Sequence, residues 1–487
     1  MCSMLTKEAM IRSTINSIFV LIIAVGSGQS SVVNAGSCKI KFERAWAACD
    51  QKYNNKCKYL GKSFKPNCQW VVPQDFSANE SIALYLNSPK DFKEPSRACE
   101  SNVCKPLLKL INGATRTIDF SVYGLRGQDD LMKALHRAKS RNVKIRGVVD
   151  KDIDNKSYYS DTQLLETLSM EIKTDYESDQ KKLRDMRSIR KGREKCARPA
   201  DHLGPLQCFD GKGYASKEKI SFRGDIMHNK FFIIDGRYVW TGSTNLSDTG
   251  TGGYNANLAV VLDSTYFAQR YQQELSLMLD GAYHKQKKAD VKSYARKSIG
   301  DSNISLYFSP QDGAVYNGVL PAINAATKTI DLAIFFLTHN EISKALVKAR
   351  HRGVAIRVIL DATAASNGYS KHDYLRENGI LVKVEDWGGK MHMKSAVIDG
   401  ETLILGSMNW TSAGDKKNDE NTLVIRDAAE LAAEHKKFFN QLWGSIAEKW
   451  LYADPRPESL DSATACFDGI DNDFDRAVDE QDSDCSM

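Results

Sequence analysis

Six positions recur in fixed order in this chain: His228, Lys230, Asp235, Gly242, Ser243 and Asn245 in one stretch, and His392, Lys394, Asp399, Gly406, Ser407 and Asn409 in another. Both stretches read H-x-K-x(4)-D-x(6)-G-S-x-N. Each supplies an imidazole, an ammonium, a hydroxyl and an amide. Together these groups suit a phosphodiester, whose charged oxygens repel a nucleophile and whose alkoxide is a poor leaving group. Lys230, Lys394, Asn245 and Asn409, with Ser243 and Ser407 assisting, can bind the non-bridging oxygens as charge spreads in the transition state. One imidazole can attack phosphorus while the other protonates the leaving oxygen and then activates water. This scheme calls for no catalytic cofactor. Its two histidines need opposite protonation states at the outset, and their titrations are coupled.

A carboxylate on one ring nitrogen of a histidine fixes its tautomer and basicity. Glu420, in Asn418-Asp419-Glu420-Asn421, is a candidate for that role, and the matching place in the first stretch is read as Ala256, beside Asn257. One histidine therefore gains a carboxylate from this position, and the sequence leaves open which. Asp235 and Asp399 have two readings, as members of the catalytic set or as turn residues, because each ends a strand just before a glycine. Ser243 and Ser407 likewise either bind phosphate or shape a turn. His136, His339, His351 and His372 carry no motif and are read as surface residues.

The elements that must position these groups also repeat. Thr117 to Phe120 precedes a helical stretch and a strand from Val143 to Asp150, and Thr329 to Leu332 precedes a similar stretch and a strand from Val354 to Asp361. Leu131, Ala134, Leu135 and Ala138 fall at helical spacing, as do Ile342, Ala345, Leu346 and Ala349. After each H-x-K come short strands with Asp-Gly turns, a closing strand (Asn257 to Leu262; Asn421 to Ile425), an Asp read as an N-cap (Asp263; Asp427) and a long amphipathic helix. The fold class is therefore α/β. The offset between copies is 164 at the motif (392 − 228) and 212 upstream (331 − 119), so the first half carries about 48 extra residues, roughly Glu171 to Phe222. This insert is rich in Lys and Arg, from Lys181 to Arg198, and holds Cys196 and Cys208. A solvated helical excursion pinned by a disulfide and a phosphate-facing lid are both open readings of it.

A chain of 487 residues exceeds one ordinary core, and its 42% hydrophobic and 26% charged residues are those of a globular protein. The net charge of +6 favours acidic partners without identifying one. Residues 1–35 read as a signal peptide, with Lys7 and Arg12 ahead of the apolar run Ile15 to Val25 and small residues at Val33-Asn34-Ala35. The run is too short to span a bilayer. A secreted, extracellular or periplasmic protein is expected, with disulfides as the default state of the ten remaining cysteines. These group locally: four lie in a Cys-rich segment at 36–75, and Cys99 with Cys104, Cys196 with Cys208 and Cys466 with Cys485 follow. The two halves are then bounded at 76–297 and 298–453. The tail at 454–487 places Asp471, Asp473, Asp475 and Asp479 at alternating positions inside a cysteine-closed loop, which suits a structural calcium ion.

The doubled motif resembles the phospholipase D superfamily, over about Ile82 to Trp450. The resemblance implies two tandem phospholipase D-like α/β/α sandwich domains related by a pseudo-twofold axis, with the active site at their interface. It places Glu420 at the family's usual acidic position, and it implies a covalent phosphohistidine on the histidine of the first motif, His228, with His392 as the acid. The tail resembles the short D-G-x-D-N-D-x-D calcium-type repeats of secreted bacterial proteins, with Phe474 and Arg476 as departures. Substrate classes implied are a phospholipid membrane surface or a nucleic acid: the first expectation is a secreted phospholipase D, the second a secreted metal-independent endonuclease, the third a binding protein using the same cleft. Trp387, Trp410, Phe335 and Phe336, near the presumed cleft, offer apolar contact for lipid or pack the core, the latter being the preferred reading. No protein partner is implied, and a monomer is expected.

Overall fold

The computed structural model describes residues 80–487, apart from 92–93, 168–170, 189–194, 198–205, 210–214, 221–223, 288–294, 462–464, 470–471, 473–476 and 486–487. The expected signal peptide and the Cys-rich segment lie outside the described residues. No helix among the described residues is long and apolar enough to cross a membrane.

The first half is built on seven strands, β1 (Ser81–Asn87), β2 (Thr117–Val122), β3 (Lys144–Val149), β4 (Glu171–Thr174), β5 (Lys230–Ile234), β6 (Tyr238–Gly242) and β7 (Asn257–Asp263), in the order β1-β7-β6-β5-β2-β3-β4. The second uses β8 (Ala295–Ile299), β9 (Ser302–Ser309), β10 (Thr329–Ile334), β11 (Ala355–Leu360), β12 (Leu381–Val384), β13 (Lys394–Ile398), β14 (Thr402–Gly406) and β15 (Glu420–Arg426), in the order β8-β9-β15-β14-β13-β10-β11-β12. Without its extra edge strand β8, the second sheet repeats the first. In both, the strand after the first helix-bearing crossover is parallel to its neighbour, and the motif strands β5 and β13 run antiparallel beside it. Half-buried ion pairs repeat as well: Arg146 Nε to Asp119 Oδ1 and Arg357 Nε to Asp331 Oδ1, both at 2.8 Å.

The helices form because their apolar residues fall on one stripe. In α1 (Cys104–Gly113) the stripe is Cys104, Leu107 and Ile111. In α2 (Asp129–Ser140) it contains Leu131, Ala134, Leu135 and Ala138, as their spacing predicts, while Asp129 and Asp130 at the first turn and Arg137 and Lys139 at the last complement the helix dipole. These helices cover the outer face of the first sheet, and α5 below covers that of the second. Between the sheets lies a shared core: Phe231, Ile233 and Leu258 of the first half, Val397, Leu405 and Leu423 of the second, and apolar residues of α4 and α6 below. Each large apolar side chain fully buried there contributes about 1.5–3 kcal/mol.

Five described regions correct or refine the sequence reading. Glu171 to Thr174 is the edge strand β4, the counterpart of β12, so the insert begins after it with α3 (Tyr176–Ser188) rather than at Glu171. Its later part forms a small three-stranded sheet in which Cys196 is the backbone partner of Cys208. The helix α4 (Thr265–Leu279) is capped by Ser264, whose Oγ accepts from the Phe267 amide, not by Asp263, which ends β7 and pairs with Arg237. His339 and His372 are not surface residues: in the second half, around α5 (Asn340–His351) and the long helix α6 (Ala429–Ser445), they are 4% and 5% exposed and held by Asp415 and by Ser370 with Asp454. Cys99–Cys104 and Cys466–Cys485 are disulfides, as their local grouping predicts.

Candidate active site

The two motifs meet because the chain between the sheets is cross-paired. The His228 amide donates to Asp419 O of the second half, and the His392 amide donates to Ala256 O of the first, each at 2.9 Å. Each histidine thus sits just before its strand, β5 or β13, on backbone fixed by the other half. The motif glycines permit close strand approach: a Cβ on Gly242 would stand 2.3 Å from Leu258 O, and one on Gly406 2.2 Å from Asn421 O. Ser243 and Ser407 follow directly.

The side chains cross in the same way. His228 Nδ1 lies 2.8 and 2.9 Å from the two carboxylate oxygens of Glu420, and His392 Nδ1 lies 3.2 Å from Asn257 Oδ1. Ser407 Oγ donates to Glu420 Oε2 at 2.6 Å, and Ser243 Oγ donates to Asn257 Oδ1 at 2.8 Å. Both serines are fully buried and hold the groups that hold the histidines; this corrects their reading as phosphate ligands. The strand pairing also corrects the register. Gly242 faces Ala259 and Gly406 faces Thr422, an offset of 163 (422 − 259) rather than 164, so the counterpart of Glu420 is Asn257 and not Ala256.

Lys230 and Lys394 are 1% exposed, and their ammonium groups donate to the carbonyls of His228 and His392 at 2.8 and 2.7 Å. Asn245 Nδ2 donates to Tyr159 Oη at 3.0 Å and keeps a second hydrogen for another acceptor. The Oδ1 atoms of Asn245 and Asn409 are buried without a hydrogen-bond partner among the described residues.

Asp235 and Asp399 stand apart from this centre, at the far ends of β5 and β13, about 15–17 Å along the strand from the lysines by strand rise. Both have left-handed backbone, φ 55° and 54°, which Asp tolerates better than most residues. The Asp235 carboxylate accepts from the amides of Thr115, Arg116 and Thr117, and Asp399 from those of Thr327, Lys328 and Thr329. Although partial burial raises these carboxyls, the amides hold both below their usual range. They are staples of the strand ends and not members of the reacting set.

Two aromatic residues that the motif does not announce complete the pocket. The Tyr123 ring lies 5.2 Å from that of His228, and the Phe335 ring 4.9 Å from that of His392. The same rings face Lys230 and Lys394 at 5.8 and 4.9 Å. The signal was present in the offset, since 335 − 123 equals the 212 of the upstream repeat. Phe335 is therefore a pocket residue, while Trp410 is core, 1% exposed. Tyr123 also stacks on Tyr158 at 5.5 Å, and Tyr158 is 60% exposed.

The electrostatics follow from four basic groups sharing one buried space with a single contacting carboxylate. Burial lowers His228 to about 4 against the opposing pull of Glu420, and lowers Lys230 to about 7. Burial and then the neighbouring lysines push His392 well below its usual value, and burial with Lys230 does the same to Lys394. An entering anion reverses this repulsion, so the site favours binding a negatively charged group together with protons. Of the tail's four candidate metal ligands, Asp471, Asp473 and Asp475 lie outside the described residues. Asp479 accepts from the backbone amides of Asp468 and Gly469, both at 3.0 Å.

The comparisons with known proteins agree with this architecture. The family model described as cardiolipin synthase, PLD-like domain, matches residues 107–279 and 319–443, more than half of the chain. The mitochondrial cardiolipin hydrolase of Chlamydomonas reinhardtii is 36% identical over 124 residues, 26% of this chain and 55% of that protein. The chain thus spans only about half the length of that relative. The phospholipase D of Rickettsia bellii (strain RML369-C) is 33% identical over 142 residues, 29% of this chain and 70% of the relative. The crystal structure of Nuc from Salmonella typhimurium, a phospholipase D family member, is 28% identical and covers 32% of this chain and 99% of its own, with a TM-score of 0.29.

Proposed function

From a chain that belongs to the phospholipase D-like family, we propose a secreted phosphodiesterase that hydrolyses phospholipid head-group phosphodiesters through a phosphohistidine on His228. The observation that carries this reading is the asymmetry of the crossed pair: His228 Nδ1 on a carboxylate and His392 Nδ1 on an amide oxygen. The carboxylate keeps the proton on Nδ1, leaves the Nε2 lone pair for phosphorus, and stabilises the positive charge the ring acquires once phosphorylated. The amide oxygen orients His392 without adding a charge.

In the first step His228 Nε2 forms a bond to phosphorus, the bond from phosphorus to the leaving oxygen breaks, and protonated His392 gives its proton to that oxygen. In the second, His392 takes a proton from water, the resulting hydroxide bonds to phosphorus, and the phosphorus–nitrogen bond breaks. A phosphate monoester leaves and both imidazoles return to their starting states. Lys230 and Lys394 carry the charge on the non-bridging oxygens throughout. No step is routed through a metal, so chelator added to the assay should leave the initial rate unchanged. The calcium reading of the tail belongs to this proposal only as a structural site.

The second reading, a secreted endonuclease with the same two steps, draws on the Tyr123, Tyr158 and Tyr159 cluster beside His228, which offers ring faces to a base. Parallel assays on phospholipid vesicles and on plasmid DNA separate the two. Release of head-group alcohol with intact plasmid supports the phospholipase reading, and nicking without head-group release overturns it in favour of the second.

A further inference from the structure

A second set of buried ionisable groups lies behind the reaction centre, on the side of the first half. His284, 2% exposed and in a left-handed conformation with φ 53°, directs Nε2 to within 3.3 Å of Asp175 Oδ2 and 3.8 Å of Asp179 Oδ1. Its Nδ1 is 3.1 Å from Asp419 Oδ2, and its amide donates to Asp419 Oδ1 at 2.8 Å. Asp175, Asp179 and Asp419 are fully buried. One donor atom from each of His284, Asp175 and Asp179 falls within 4.8 Å of the others.

Local hydrogen bonding does not account for this arrangement. Asp175 Oδ1 accepts from the Lys151 amide at 2.8 Å, and Asp179 Oδ1 from the Asp225 amide at 3.4 Å. Asp175 Oδ2, Asp179 Oδ2 and His284 Nε2 are buried, and none makes a hydrogen bond of acceptable geometry with any described residue. The buried Lys287 ammonium is engaged by Glu274 and Asp419. The second half provides an internal contrast. There Asp361 and Glu385 occupy the places of Asp150 and Asp175, Glu385 accepts from the amides of Ala362 and Trp387 at 3.0 and 3.1 Å, and the Lys390 ammonium acts on both carboxylates. Among the described residues no histidine joins them.

We propose that His284 Nε2, Asp175 and Asp179 bind one divalent transition-metal ion, zinc by its donor set, in a buried structural site behind Glu420. An imidazole with two carboxylates is a zinc-type ligand set. A tetrahedron with metal–ligand bonds of about 2.1 Å has edges of about 3.4 Å, close to the separations of Nε2 from the two carboxylates. Asp419 on Nδ1 is the carboxylate that orients a ligating histidine. The ligands come from the end of β4, from α3 and from the segment before β8, so the ion joins the base of the insert to the body of the protein. It also bears on the reaction centre without touching substrate, because Asp419 precedes Glu420 and its carbonyl accepts the His228 amide.

The test is metal analysis of the full chain, expressed without a histidine tag and dialysed. About one zinc per chain is expected, falling at least tenfold in Asp179→Asn and in His284→Gln. Cobalt substitution should give visible absorption bands that both variants lose. Less than a tenth of an equivalent in the wild type after refolding with zinc overturns the site, as does metal retained in full by both variants, which would place it on other ligands. If the variants do not fold, the wild type decides: zinc should raise the thermal midpoint of metal-free protein by several degrees, and no rise contradicts the proposal. These readouts are independent of the phosphohistidine chemistry, so failure of one leaves the other standing.

Discussion

Glu420 and Asn257 occupy one place in two halves, so one of two chemically identical imidazoles meets a carboxylate and the other an amide oxygen. Replacing Glu420 by Gln keeps the shape and removes the charge that supports a phosphorylated His228 ring. We expect kcat to fall by about a hundredfold or more with KM little changed, because the lost interaction grows only as the ring becomes positive. An equal loss in KM alone would place Glu420 in binding instead. The pH profile of kcat/KM tests the same pocket. Lys230, lowered to about 7 by burial, must be protonated to receive phosphate, and His228, lowered to about 4, must be neutral to attack. His392 must also carry its proton, although burial and the neighbouring lysines push it well below its usual value, so kcat/KM should rise through about pH 4 and fall again below the ordinary histidine range, with the alkaline limb shifted upward in kcat, where bound phosphate restores the protons of His392 and Lys230. At this scale the motifs announced the histidines and lysines, since their types and spacing alone imply the reaction. Sequence could not show that Ser243 and Ser407 donate to Asn257 and Glu420, because a hydroxyl after a glycine serves several purposes.

The elements explain what the motif pattern alone misreads. Asp235 and Asp399 recur as faithfully as the histidines, yet the recurrence reflects a strand end that must be stapled in both halves. Asp235→Asn keeps a residue tolerant of φ 55° but weakens the acceptor of several amides, so we expect about 1–3 kcal/mol lower stability in urea with kcat of the folded enzyme unchanged. A large loss of kcat in fully folded protein would return Asp235 to the chemistry. The strands and helical stripes were legible because their periodicity is set locally. The register between Asn257 and Glu420 was not, because the loops after the two motifs differ by one residue and only strand pairing reveals it. Packing also leaves a pH signature. His435 on α6 is fully buried against Ser395 and held down to about 4 by burial. The unfolded chain takes up this proton near 6.5 and the folded chain only near 4, so stability is full above 6.5 and declines as pH falls through that window. One such histidine accounts for about 2–3 kcal/mol at about pH 4.5. His435→Gln, which does not titrate, should show a visibly shallower fall in urea midpoint between about pH 7 and 4.5.

For the whole molecule, the cross-paired backbone means that neither half holds a complete site. Both motifs of one chain serve one pocket, so mixing His228→Ala with His392→Ala full-length proteins should restore no turnover, whereas recovery would show that sites form between chains. The doubled motif made this two-halved organisation legible in advance, and Phe335 was placed near the cleft, but Tyr123 on the other side of the pocket emerged only when the offset between halves was laid on a structure. The proposed mechanism requires that His228 become covalently phosphorylated. Imidazole attack leaves a phosphoramidate stable to base and labile to acid, so quenching in alkali during turnover should trap phosphate on a histidine. With a substrate of good leaving group, the label is expected on His228 in the wild type, accumulating in His392→Ala and absent from His228→Ala. Label on His392 in the wild type, or no adduct under any quench, would contradict it.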